Sequence, residues 1–163
     1  MLDEKWEELR IPRGIAISFW AQFARAEFAL KATRFAAGNE GESANPAWDK
    51  FASEVAVALD PWEHLELANA IRYLLDNPPR KQIVRGERAC FEDIPSPAGR
   101  RTEIECAVVL IRRVRNNLFH GGKYFDHDDA SRDLKLIQAS MMVLEACVNH
   151  IGEVRLAYET GDA

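Results

Sequence analysis

Apolar residues recur at helical spacing along most of the chain. Between Gly14 and Ala37, Phe19, Phe23, Ala26, Leu30 and Thr33 fall three and four residues apart, with Trp20, Ala24 and Glu27 beside them. This pattern predicts a long first helix closed by Gly38-Asn39-Glu40-Gly41. Asn45-Pro46 then offers a cap and a first-turn proline for a second helix carrying Trp48, Phe51, Val55 and Leu59. Asp60-Pro61 does the same for a third helix, with Leu65, Ala68, Ile71, Leu74 and Leu75, stopped by Asp76-Asn77-Pro78-Pro79.

The periodicity lapses from Pro78 to Gly99, where prolines, arginines and glycines predominate. This reads as a long excursion, with a short strand or turn at Gln82-Ile83-Val84. It resumes in a fourth helix from Thr102 to Phe119 and a last one from Asp129 to Tyr158. In the last, Leu134, Ile137, Met141, Leu144, Val148, Ile151 and Tyr158 alternate in a near coiled-coil seam. Leu136, Met142, Val143, Ala146 and Cys147 widen that seam, so this helix is either central to the bundle or shared with a second subunit. Strand candidates are scarce and internal repeats absent. The expected fold is all-α, a four- to five-helix up-and-down bundle in one domain over residues 1–163, with the irregular excursion between the third and fourth helices.

Composition narrows the class. At 163 residues, 47% apolar and 29% charged, the chain can bury a continuous core and falls outside the disordered class. Cys90, Cys106 and Cys147 are odd in number and far apart, which suits a reducing cytoplasm rather than a disulfide framework or metal knuckle. The start Met-Leu-Asp-Glu-Lys-Trp-Glu-Glu lacks the basic and apolar stretches of an export signal, and no apolar run is long enough for a membrane span. A net charge of −5 argues against indiscriminate coating of nucleic acid, although 15 arginines against 6 lysines leave local phosphate-gripping patches open.

The chemistry concentrates in Arg115-Asn116-Asn117-Leu118-Phe119-His120-Gly121-Gly122-Lys123. On a helical wheel Ile104, Ala107, Val108, Ile111, Val114 and Leu118 share one face, with Arg115 near its middle. A guanidinium there needs a carboxylate, water or a ligand, because burying it alone is costly. Glu27 is the matching oddity on the first helix, among Trp20, Phe23 and Leu30, and the two are expected to pair. In an unbroken helix Arg115 and His120 would point about 140° apart. Gly121-Gly122 ends the helix there and lets the chain bend, and the negative helix end favours a protonated imidazole.

An asparagine directly after the arginine, an apolar pair before the histidine and a double glycine behind it resemble the motif of the HEPN superfamily. Many of its members are small helical RNA-cleaving toxins. Arg25-Ala26-Glu27-Phe28-Ala29-Leu30-Lys31 and Arg132-Asp133-Leu134 also resemble segments of HEPN proteins found near mobile elements. The resemblance implies a homodimer, joined through the motif-bearing and C-terminal helices, with the motif lining the groove between protomers. It implies a metal-independent endoribonuclease, a toxin or phage-defence component without cofactor that leaves cyclic phosphate ends, often silenced by a nucleotidyltransferase-type antitoxin.

By position, the resemblance gives catalytic roles to Arg115, Asn116 and His120. Histidine, with an ordinary pKa of about 6.5, can move protons at the 2′-hydroxyl or the leaving 5′-oxygen, and Arg115 can stabilise the phosphorane. Asn116 would orient the histidine or the phosphate. Lys123, Tyr124 and Asn117 are candidates for substrate binding by proximity alone, and Asn117 is as readily read as facing solvent or capping the turn.

Competing readings attach to the same residues. Arg115 can be a structural arginine paired inside the bundle, and His120 a cap on the last carbonyls of its helix. The whole can be a non-catalytic HEPN-like dimer that binds RNA, a nucleotide or a protein partner, or a purely structural dimer. Asp126-His127-Asp128-Asp129 reads as helix capping before it reads as a metal site. His64 and His150 read as surface or packing residues, and Arg80, Lys81, Arg85, Arg88, Arg100 and Arg101 as a solvated loop cluster or an RNA guide. No phosphate loop, serine-hydrolase elbow or dinucleotide fingerprint is present.

Overall fold

The computed structural model describes residues 11–97, 99, 101–119 and 130–162. The described chain is mostly helical, with two short antiparallel strand pairs. Helix α1 (Arg13–Lys31) buries Ala16, Phe19, Phe23, Ala26, Ala29 and Leu30. It stops short of the predicted Ala37: the Thr33 hydroxyl bonds the carbonyls of Ala29 and Leu30. The chain then tucks Phe35 fully into the core, edge-on to Phe51 with ring centroids 5.5 Å apart.

Ala36–Ala37 (β1) pairs antiparallel with Asn45–Pro46 (β2), so Asn45-Pro46 serves as a strand instead of capping a helix. Helix α2 (Trp48–Ala58) begins just after it and buries Trp48, Phe51, Ala52 and Val55. Asp60 accepts a hydrogen bond from the Trp62 amide at 2.9 Å and caps a single 3-10 turn over Pro61–Glu63. Helix α3 (Leu65–Asp76) follows, burying Leu67, Ala68, Ala70, Ile71 and Leu74.

The excursion contains more regular structure than the sequence pattern predicts. Lys81–Arg85 (β3) pairs with Arg88–Glu92 (β4) in a hairpin closed by Gly86-Glu87, with Gly86 at φ +61°, a conformation glycine adopts without steric cost. The alternation was hard to read because most of the hairpin is exposed on both faces. Arginines there pair with nearby carboxylates, Arg85 with Glu92 and Arg80 with Asp93.

Helix α4 (Glu103–Phe119) starts with a reciprocal capping box. The Glu105 amide donates to Thr102 Oγ1 at 3.2 Å, and the Thr102 amide donates to Glu105 Oε2 at 2.7 Å. The last predicted helix is two: α5 (Ala130–His150) and α6 (Gly152–Thr160), separated at Ile151, whose backbone is extended. Across that break Val154 and Ala157 stay on the core side, which is why the apolar spacing ran on uninterrupted.

Helix α5 lies against α1, α2, α3, α4 and α6. Leu136, Ile137, Val143, Leu144, Cys147 and Val148 are all buried among these helices. The wide apolar surface of this helix therefore follows from its central position, and of its large apolar side chains only Met142 is substantially exposed. No helix among the described residues is long and apolar enough to cross a membrane.

Candidate functional site

Helices α1 and α4 are brought together by aromatic packing: Phe119 stacks on Phe19, with ring centroids 6.5 Å apart and planes at 22°. One turn towards the middle of each helix, Arg115 reaches across to α1. Its Nη2 lies 3.3 Å from Glu27 Oε2, and its guanidinium sits over the Phe23 ring, 5.1 Å from the centroid. The charge predicted to need a carboxylate has one, and an aromatic face beneath it adds a cation–π contact. Nη1 of Arg115 donates to Asn116 Oδ1 at 3.0 Å.

These contacts frame a surface cleft of about 300 Å³ lined by Phe23, Glu27, Asn45, Pro46, Trp48, Arg112, Arg115 and Asn116. The side chains of Arg115 and Glu27 remain partly open to solvent, 31% and 27% exposed, so the pair is accessible to a ligand. A guanidinium carries five N–H donors, more than these two contacts use. Held flat between Glu27, Asn116 and Phe23, it is oriented before any ligand arrives, a condition for strong electrostatic stabilisation of a phosphate-like oxyanion.

Arg112 was not singled out from the sequence, although it lies almost one turn before Arg115 and shares its exposed edge. Its Nη1 is 4.0 Å from Asp49 Oδ1, and Nη1 of Arg101 lies at the same distance from the same oxygen. The β1–β2 pair contributes the opposite wall through Asn45 and Pro46. That wall could not be read from sequence, because it depends on the chain doubling back between α1 and α2. Its neighbour Arg113 points elsewhere, donating to the Ile94 carbonyl at 3.5 Å, and burial lowers its pKa.

Asn117 departs from both of its expected roles. It is buried and on the opposite side of α4 from the cleft, where its Nδ2 donates to the Arg80 carbonyl at 2.7 Å. The 100° step between neighbouring helical residues sends Asn116 outward and Asn117 inward. Asn117 is thus a structural tie between α4 and the start of the hairpin. Nearby, Arg132 Nη2 donates to the Pro78 carbonyl at 2.8 Å and fastens α5 to the same stretch of chain.

The structure thus brings together Glu27, Arg115 and Asn116. His120, Lys123, Tyr124 and the Asp126-His127-Asp128-Asp129 run lie outside the described residues, as does Arg100. His64 and His150 are exposed, at the start of α3 and the end of α5. Among the described residues no group of three or more histidine, cysteine or carboxylate side chains is arranged to hold a metal ion. No protein-family model, curated protein or solved structure matches this chain.

Proposed function

We propose that this protein is a metal-independent endoribonuclease of HEPN type with an HEPN-like helical bundle, acting in the cytoplasm as a toxin or phage-defence component. The supporting observation is Arg115, oriented by Glu27, Phe23 and Asn116 at an open cleft, on the helix whose sequence continues into His120. In this reading the 2′-oxygen of the substrate attacks the adjacent phosphorus while the bond from phosphorus to the 5′-oxygen breaks. The products are a 2′,3′-cyclic phosphate and a 5′-hydroxyl. His120 takes the proton from the 2′-hydroxyl or delivers one to the leaving oxygen, and Arg115 stabilises the charge on the phosphorane. Asn116 steadies the guanidinium and Glu27 fixes its direction. Lys123 and Tyr124 hold the incoming strand. A homodimer brings two such sites together, and a nucleotidyltransferase-type antitoxin is the partner that would silence them.

A second reading rests on the same ion pair. Glu27 already compensates the charge of Arg115, which suits a non-catalytic HEPN-like dimer that binds RNA, a nucleotide or a protein partner without cleavage.

The test is cleavage of an end-labelled RNA in excess EDTA by wild type and by identically purified Arg115→Ala and His120→Ala variants. Cleavage by wild type alone, with cyclic phosphate ends, is the expected result. Equal traces in all three, or none, would transfer the reading to the binding module.

A further inference from the structure

Several surface arginines meet a carboxylate at hydrogen-bond distance. Arg34 pairs with Glu54 and Glu153, Arg85 with Glu92 at 2.9 Å, and Arg80 with Asp93 at 3.2 Å. Arg112, half-exposed on α4, does not. Among the described residues its one ionic contact is Asp49 Oδ1 at 4.0 Å, beyond hydrogen-bond reach, and Arg101 lies equally far from the same oxygen. Two guanidinium groups thus share one exposed carboxylate that neither grips. Glu105 lies near Arg101 and feels its charge, but its oxygens already accept from Ser53 and Thr102. The unmatched positive charge falls at Arg112.

Arg112 also lines the cleft of Arg115. Three residues apart on α4, the two are neighbours on its surface, with Cβ atoms roughly 5–6 Å apart. The charged groups of the lining are Arg112, Arg115 and Glu27, and Glu27 bonds Arg115. The wall formed by Asn45 and Pro46 is uncharged. A ligand with a single phosphate satisfies Arg115 and leaves Arg112 unused, whereas one with two phosphates a nucleotide apart engages both guanidinium groups.

We infer that Arg112 is a second phosphate subsite of this cleft, gripping the phosphate next to the one held by Arg115, so that the cleft takes a single strand laid along α4. The identity of that strand as RNA rests on the ribonuclease reading. The phosphates of a nucleoside diphosphate share one oxygen and lie closer together than side chains one turn apart, so they fit this pair poorly. Arg112 precedes Arg115 on α4 and His120 follows it, which directs the strand from the end of α4 towards Asp49. A carboxylate beside an incoming phosphate repels it. Arg101 answers that difficulty: when Arg112 turns to the phosphate, Arg101 stays beside Asp49 and offsets its charge. By fixing the neighbouring phosphate, Arg112 sets which bond of the strand lies over Arg115.

The test is a titration of the full chain, in EDTA, with a short fluorescent 2′-O-methyl RNA, which lacks the 2′-hydroxyl that cleavage needs. Arg112→Gln is expected to weaken binding about tenfold at fixed salt. It should also reduce the slope of log K against log salt by about 0.7, the share of one phosphate contact on a single strand. Asp49→Asn should tighten binding. Arg72→Gln, whose guanidinium lies over Trp62 on α3 and away from the cleft, should match wild type. Adenosine diphosphate should compete poorly. Unchanged affinity and slope in Arg112→Gln, weaker binding by Asp49→Asn, an equal loss in Arg72→Gln or effective competition by adenosine diphosphate would each overturn the inference. Arg112-dependent binding without cleavage of unmodified RNA upholds the subsite and removes the nuclease reading. Cleavage by wild type, with the strand bound equally well by Arg112→Gln, does the reverse.

Discussion

The side-chain amide of Asn117 donates to the main-chain carbonyl of Arg80 at 2.7 Å, joining the last turn of α4 to the base of the β3–β4 hairpin. Asn116, its neighbour, lies in the cleft, where its Oδ1 accepts from the Arg115 guanidinium. Two adjacent asparagines thus have separate tasks. Asn117→Ala removes this part-buried bond from the buried Asn117 side chain and is expected to cost about 1 kcal/mol of stability. Asn116→Ala, at an exposed position, should stay within about 0.5 kcal/mol. Urea unfolding of the two variants side by side measures the difference, and equal losses would contradict the division.

The Glu27–Arg115 pair is partly solvated, which limits its contribution to folding. A double-mutant cycle with Glu27→Ala and Arg115→Ala is expected to return a coupling on the order of 1 kcal/mol or less. On the proposed ribonuclease reading, the effect on RNA cleavage should be much larger. Loss of Arg115 is expected to reduce the rate by about 10²–10³, as for other single donors to a developing oxyanion. Glu27→Gln should keep the fold and lower kcat more than it raises KM, since the guanidinium would remain present but lose its fixed direction.

Acid sensitivity is expected at the start of α4. The Glu105 carboxylate accepts hydrogen bonds from Ser53 Oγ at 2.5 Å and from Thr102, which hold its pKa below the ordinary glutamate range. The folded protein therefore takes up this proton at lower pH than the unfolded chain. The resulting stabilisation is complete above the unfolded value of about 4.3 and is lost as pH falls through the lower folded value. Ser53→Ala should lower Tm at pH 6, and the gap from wild type should narrow as the pH approaches 3. A gap that is constant with pH would show that Ser53 acts through packing alone.

The three thiols should separate cleanly by reactivity. Complete burial pushes the Cys147 thiol up to about 12, and burial also raises Cys106, whose Sγ lies 3.0 Å from the Pro97 carbonyl. Cys90, on β4, is only half-buried. Titration with a chromogenic disulfide at pH 8 is expected to modify Cys90 first, and the other two only on the timescale of unfolding. Rapid modification of all three in the native state would contradict the packing around α5.

Most helices were legible in the sequence because core-facing residues such as Phe19, Phe23, Leu30, Ile71 and Leu74 repeat at 3.6-residue spacing. The Glu27–Arg115 pair was legible because each charge interrupts an apolar face, and such interruptions demand a partner. Elements depending on geometry rather than periodicity were not. The break at Ile151 left no trace in the pattern, since Val154 and Ala157 continue the core face, and Gly152 was its one local sign. Asn45-Pro46 has the composition of a helix start and is used as a strand. The same ambiguity affected Asn117, because polarity suggested a surface residue while its position on α4 turned it inward. The apolar surplus of α5 left a central helix and a shared one open, and the packing of α1 to α4 and α6 around it shows that the helix is central.

That central position also sets the order in which the protein can be completed during synthesis. Residues 130–148 fit between helices that are all made before them, except α6. Until they emerge, α1, α3 and α4 carry an apolar trough with nothing to fill it. A nascent chain arrested near Phe119 would therefore present that trough to chaperones and to other nascent chains, and the arrival of α5 would be the event that closes it.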